Sequence, residues 1–99
     1  MKVTVLGAGA WGTALAQLLC AGRNDVTLWG HDPRLVEELQ KSRRNENYLP
    51  GIELSADLKF ETDLPRAVAG PELVVMAVPS RAFREISGSL AHFSGIVVS

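Results

Sequence analysis

Gly7, Gly9 and Gly12 stand in a G-x-G-x-x-G spacing, read here as Gly7-Ala8-Gly9-Ala10-Trp11-Gly12. The chemistry such a turn can do is phosphate binding by backbone groups alone. Gly7 lets the chain turn sharply off a preceding strand. Gly9, lacking a Cβ, lets a pyrophosphate approach the backbone, and Gly12 lets helix and strand pack closely. The unpaired N–H groups and positive dipole end of the following helix then face the phosphates. A glycine-rich turn kept for steric reasons is the alternative, and context separates the two. The apolar run Val3-Thr4-Val5-Leu6 precedes the turn, and Ala14, Leu15, Leu18 and Leu19 recur at helical spacing after it, as far as Gly22. Strand, glycine turn and helix in that order favour dinucleotide binding.

Cofactor choice in such a site rests on the end of the second strand, about 20 residues beyond the glycines. There the chain reads Trp29-Gly30-His31-Asp32-Pro33-Arg34. An acidic side chain at this place favours NAD; a basic or neutral one accommodates the NADP phosphate. Asp32 is the one carboxylate, and Pro33 behind it favours a helix cap over a ribose contact. His31 can lie against adenine or donate to a 2′-phosphate, or be an exposed loop histidine. Arg34 can reach a phosphate or simply be solvated. The segment leans towards NADP without excluding NAD. Trp11, inside the glycine motif, can shield the nicotinamide or pyrophosphate region, or pack beneath the loop.

No other catalytic constellation stands out. His92 lies near the end of the last expected helix, where interaction with the helix dipole accounts for it. No metal-ligand spacing links the two histidines to carboxylates. There is no G-x-S-x-G elbow and no evident nucleophile with its base. Cys20, the only cysteine, makes an internal disulfide impossible and reads as a packed thiol. A net charge of -1 over 99 residues gives no general attraction to nucleic acid or acidic membranes. The basic group Lys41-Arg43-Arg44 is broken by Glu46 and reads as a solvated helix end more than a binding patch. No apolar run approaches membrane-spanning length and no signal peptide is evident, so a cytoplasmic protein is the expectation.

The elements that must position these groups alternate. Asp25 to Trp29 reads as a second strand, and Asp32-Pro33 opens a helix whose buried stripe is Leu35, Val36 and Leu39. Residues 43–50 lose the pattern, with Pro50-Gly51 expected as a turn. Lys59 to Thr62 reads as an edge strand, and Asp63 to Ala69 as one or two helical turns. Leu73 to Val78 has the continuous apolar character of a central parallel strand. Pro79 ends it, Ser80 can cap a helix presenting Phe83, Ile86 and Leu90, and Ile96 begins a fifth strand. The expectation is an α/β fold, a Rossmann-type doubly wound parallel sheet in strand order 3-2-1-4-5. Its crevice would open between the first and fourth strands, where the glycine turn meets Val78-Pro79-Ser80.

Four stretches together resemble the N-terminal part of bacterial NAD(P)-dependent glycerol-3-phosphate dehydrogenase. They are Val5 to Ala16, Leu28 to Pro33, Asn45-Glu46-Asn47-Tyr48-Leu49-Pro50-Gly51, and Ala77 to Ser80. The resemblance implies reversible hydride transfer between NAD(P)H and dihydroxyacetone phosphate, giving sn-glycerol 3-phosphate for phospholipid synthesis. It implies cofactor contacts from Gly7, Gly9, Ala10, Trp11 and Gly12, with His31 at the adenosine end. Pro79 and Ser80 would line the crevice near the nicotinamide. A structural turn explains the Asn45 to Gly51 loop equally well.

Members of that family are about three times as long, and the family's catalytic lysines would fall beyond Ser99, so no residue here inherits them. Residues 1–99 are therefore expected to form an NAD(P)-binding domain, cut short of a helical substrate domain and inactive alone. The complete enzyme would act on a small-molecule substrate as a homodimer, with neither nucleic acid nor membrane as partner. Two alternatives stay open: the cofactor domain of another reductase of the 6-phosphogluconate dehydrogenase type, or a non-catalytic nucleotide-sensing module.

Overall fold

The computed structural model describes residues 1–78, 86, 88 and 96–98. Residues 86 and 88 are helical, and beside them seven strands and three helices can be delimited. In chain order they are β1 (Lys2–Leu6), α1 (Ala10–Ala21), β2 (Asp25–Trp29), α2 (Pro33–Ser42), β3 (Arg44–Asn45) and β4 (Leu49–Glu53). Then follow β5 (Lys59–Glu61), α3 (Leu64–Ala67), β6 (Leu73–Met76) and β7 (Ile96–Val98). Five strands make one sheet in the order β5-β2-β1-β6-β7. Every pairing in it is parallel, with Val5 opposite Leu28 on one side and Val75 on the other. Counted along the chain, this is the doubly wound order 3-2-1-4-5, with the charged strand Lys59–Glu61 at an edge.

Alternation along the strands divides the core into two layers. Val3 and Val5 of β1 point to the face covered by α1 and α2, where they meet Ala16, Cys20, Val26, Leu28 and Leu39. Leu6 points the other way, into a cluster with Trp29, Val74, Met76 and Ile86. Fully buried leucines such as Leu6 and Leu28 each contribute about 1.5–3 kcal/mol. Thr4 shares the second face, where its buried hydroxyl donates to the Ala67 carbonyl at 2.7 Å. Both faces being covered explains why the central strands carry continuous apolar runs.

Helix α1 buries a different stripe from the one its leucines suggest. Gly12, Thr13, Ala16 and Cys20 face the sheet, Leu15 and Leu19 flank them, and Leu18 is 69% exposed. Small residues let the helix approach the strands closely, and that displaces the bulkier leucines to the flanks. Cys20 is a buried free thiol, as its surroundings suggest. The helix stops at Gly22, but the left-handed residue is Arg23, with φ 65°. Asn24 then donates to the Leu19 carbonyl at 2.9 Å.

The Asp32 side chain caps α2, accepting from the Arg34 N–H at 3.0 Å, with Pro33 in the first turn. Val36 and Leu39 are its buried positions, and Leu35 is half-buried. Outside, Lys41 and Glu37 pair at 2.8 Å one turn apart. Each holds the other in its charged form, Glu37 below and Lys41 above their ordinary values, chiefly through this hydrogen bond.

The polar stretch after α2 is ordered differently from expectation. Pro50-Gly51 lies within strand β4, not at a turn; the turn is 46–48, between β3 and β4. The two-stranded antiparallel ribbon is irregular, its register shifting between Arg44 and Asn45, which gives Pro50 and a left-handed Gly51 a place. The basic group is dispersed as well. The Arg43 guanidinium donates to the Leu58 carbonyl at 2.6 Å and lies 5.2 Å above the Phe60 ring. Arg44 faces Glu46 at 3.5 Å. Among the described residues Lys41, Arg43 and Arg44 form no basic patch. Among the described residues no helix is long and apolar enough to cross a membrane.

Candidate functional site

The carboxyl ends of β1, β2 and β6 meet at the switch point of the sheet, where crossovers leave in opposite directions. Backbone bonds hold the three loops there together. The Gly7 N–H donates to the Trp29 carbonyl at 2.8 Å, and the Ala77 N–H donates to the Leu6 carbonyl at 2.8 Å. A cleft of about 850 Å³ opens between them. It is lined by the glycine turn, by Trp29-Gly30-His31 after β2, by Met76-Ala77-Val78 at the end of β6, and by Leu35, Tyr48 and Ile86. Thus Gly7, Gly9, Ala10, Trp11, Gly12 and His31 are all brought to one cleft. Pro79 and Ser80 lie outside the described residues, as do Phe83, Leu90 and His92; Ile86 is helical and buried.

The three glycines are not equivalent. Gly7 has φ +118°, a region that side chains avoid, and a Cβ there would overlap the Ala77 carbonyl oxygen. A Cβ at Gly12 would overlap the Gly7 carbonyl oxygen and press on Ala77. Both are required by the fold. Gly9 differs: its φ is -75°, and a Cβ there would meet nothing within 4 Å among the described residues. The space that Gly9 keeps clear belongs to the cleft.

Gly9 is also the N-cap of α1, and the cap has no side-chain acceptor and no acidic residue in the first turn. The first intrahelical bond runs from Thr13 N–H to Gly9 carbonyl at 3.0 Å, so the N–H groups just before it have no helical partner. An anion placed here would meet donors and the positive end of the dipole. No Asp or Glu lines the cleft among the described residues. Asp32, at the end of β2, is spent on capping α2, while Arg34 is exposed and outside the lining.

Trp11 is 67% exposed, which rules out packing beneath the loop. Trp29 is its opposite: buried, with its indole N–H donating to the Thr62 carbonyl at 3.1 Å. The exposed His31 ring lies 6.5 Å from that of Trp29, tilted by 44°. Tyr48, 52% exposed on the turn of the β3–β4 ribbon, reaches the rim from a segment 36 residues beyond Gly12. In the sequence Tyr48 belongs to the Asn45 to Gly51 stretch, which the family resemblance and a structural turn explain equally, because no local periodicity marks a cleft-lining position. No group of three or more His, Cys, Asp or Glu side chains suited to a metal ion occurs among the described residues.

Comparison with known proteins agrees with this geometry. Residues 2–96 match the family described as the NAD-dependent glycerol-3-phosphate dehydrogenase N-terminus. A glycerol-3-phosphate dehydrogenase (NAD(P)+) of Chlorobium phaeobacteroides is 46% identical over 99 residues, covering 100% of this chain and 29% of the relative. One from Bacillus licheniformis is 42% identical over 92 residues, covering 93% and 27%. Among solved structures, glycerol-3-phosphate dehydrogenase from Coxiella burnetii superimposes with a TM-score of 0.88 at 33% identity, over 96% of this chain and 30% of that one. The chain thus spans under a third of the length of these relatives. The match runs from the first strand into the last, through every loop that builds the cleft. The chain belongs to the family of NAD-dependent glycerol-3-phosphate dehydrogenase N-terminal domains.

Proposed function

We propose that this chain is the cofactor-binding domain of an enzyme that moves a hydride reversibly between NAD(P)H and dihydroxyacetone phosphate, giving sn-glycerol 3-phosphate. The observation that carries the reading is Gly9. Nothing among the described residues demands a glycine there, yet the residue keeps open the part of the cleft where unpaired helix N–H groups converge. When bound, the dinucleotide supplies the hydride chemistry. This chain's residues bind and orient it: Gly9, Ala10 and the start of α1 hold the pyrophosphate, and Gly7 and Gly12 shape the turn. Trp11 covers the cofactor from the solvent side.

His31 sits at the adenosine end. With Asp32 committed to its cap, no carboxylate is left there to select against a 2′-phosphate, which supports acceptance of NADPH as well as NADH. The groups that act on the substrate belong to other parts of the complete enzyme, as the family resemblance implies, and so does its assembly as a cytoplasmic homodimer.

Titration of the chain with NADPH and with NADH, followed by energy transfer from tryptophan to the nicotinamide, tests this reading. Saturable binding of either is expected, with turnover of dihydroxyacetone phosphate only in an enzyme carrying the remaining domain. Absence of binding by both cofactors at millimolar concentration sinks it.

A further inference from the structure

Asn45 is 1% exposed and lies beneath the glycine turn, 37 residues away from it in the chain. Its side-chain amide spends both hydrogens there. Nδ2 donates to the Ala8 carbonyl at 2.9 Å and to the Thr13 hydroxyl at 2.8 Å. Thr13, fully buried, turns its own hydroxyl towards the same Ala8 carbonyl at 3.3 Å. Asn45 Oδ1, by contrast, is buried with no hydrogen-bond partner among the described residues. An unpaired buried acceptor costs stability, which the two bonds that Nδ2 donates offset. Beyond the stability of those bonds, the amide fixes how the glycine turn is oriented.

The reason lies across the peptide bond. In a trans peptide the C=O and N–H point in opposite directions. Pinning the Ala8 oxygen inwards, against Asn45 and Thr13, turns the Gly9 N–H outwards on the side that lines the cleft. Asn45 also organises the opposite rim, because its backbone carbonyl accepts the Tyr48 N–H at 3.2 Å and closes the turn that presents Tyr48. One buried residue therefore ties the phosphate turn, the start of α1 and the β3–β4 ribbon into one unit.

We propose that Asn45 is a positioning residue for pyrophosphate recognition: through Ala8 it aims the Gly9 N–H into the cleft, and through its own carbonyl it seats Tyr48. The proposal rests on the cofactor reading above. Its test compares ligands with and without a pyrophosphate: NADH and ADP-ribose against adenosine, titrated into the chain by amide chemical-shift changes. In Asn45→Leu, affinity for NADH and ADP-ribose falls about ten- to one-hundred-fold, the worth of misdirecting a hydrogen bond to a charged group. Adenosine affinity stays as in the parent chain. Thr13→Val shows the same selective loss at smaller size, and Thr13→Ser, which keeps the hydroxyl, restores binding.

Unchanged affinity for the pyrophosphate ligands in Asn45→Leu overturns the proposal. So does an equal loss for all three ligands, the result of a merely structural role. Should Asn45→Leu not fold, Thr13→Val against Thr13→Ser decides by the same criteria. A parent chain that binds neither NADH nor ADP-ribose removes the cofactor reading itself, and this proposal with it. A parent that binds, beside variants that bind equally well, removes the proposal alone.

Discussion

Gly12 leaves no room for a methyl group against Gly7: a Cβ at residue 12 would overlap the Gly7 carbonyl oxygen. The strand, its turn and the helix after it are locked face to face at this point. Gly12→Ala is expected to lower the stability of the chain by about 3 kcal/mol, because backbone must move to relieve the overlap. Gly9→Ala costs only about 1 kcal/mol, the preference of an N-cap for glycine over alanine, since its φ is ordinary and its surroundings among the described residues are open. Cofactor affinity is lost in both. Denaturant midpoints beside NADH titrations separate the two glycines, and a Gly9→Ala chain that binds NADH like its parent contradicts the assignment.

Asp32 and His31 are neighbours with opposite duties. Asp32 accepts from the Arg34 N–H, so Asp32→Ala costs about 1 kcal/mol of stability through the lost cap and leaves the ratio of NADPH to NADH affinity where it was. A shift in that ratio would mean that the carboxylate reads the ribose after all.

His31 is exposed at the cleft edge, so its replacement is structurally neutral. His31→Asp places a carboxylate where a 2′-phosphate would lie and is expected to weaken NADPH about tenfold while sparing NADH. Equal effects on both cofactors would move the adenosine end elsewhere.

The two tryptophans give separate signals. Acrylamide quenches the exposed Trp11 and hardly touches Trp29, which is 7% exposed. NADH binding should protect Trp11 from the quencher, and Trp11→Phe should abolish the quenchable component without unfolding the chain. Protection that survives in Trp11→Phe would show that the cofactor covers another part of the molecule.

What could be read from residues alone was whatever short-range patterning encodes. The apolar runs at Val3 to Leu6 and Leu73 to Met76 announced covered parallel strands, because burial on both faces removes alternation. Asp32-Pro33 announced the start of α2, because capping is completed within a few residues. The glycine spacing, set between strand and helix, located the cleft, and the order of elements then limited the sheet to the topology observed.

Tertiary structure decided what depends on contacts between distant segments. Leucine spacing marked α1 as a helix but not its buried face, since the close approach of helix to sheet selects Thr13, Ala16 and Cys20 over Leu18. Pro50-Gly51 has the composition of a turn but pairs in an irregular ribbon. Three glycines alike in the sequence differ in that two are demanded by overlapping backbone and one is left free. Asn45 belongs to a polar stretch that the family resemblance and a structural turn explain equally well. Its bond to Ala8 spans 37 residues and leaves no periodic trace, so only folding could bring that amide beneath the phosphate turn.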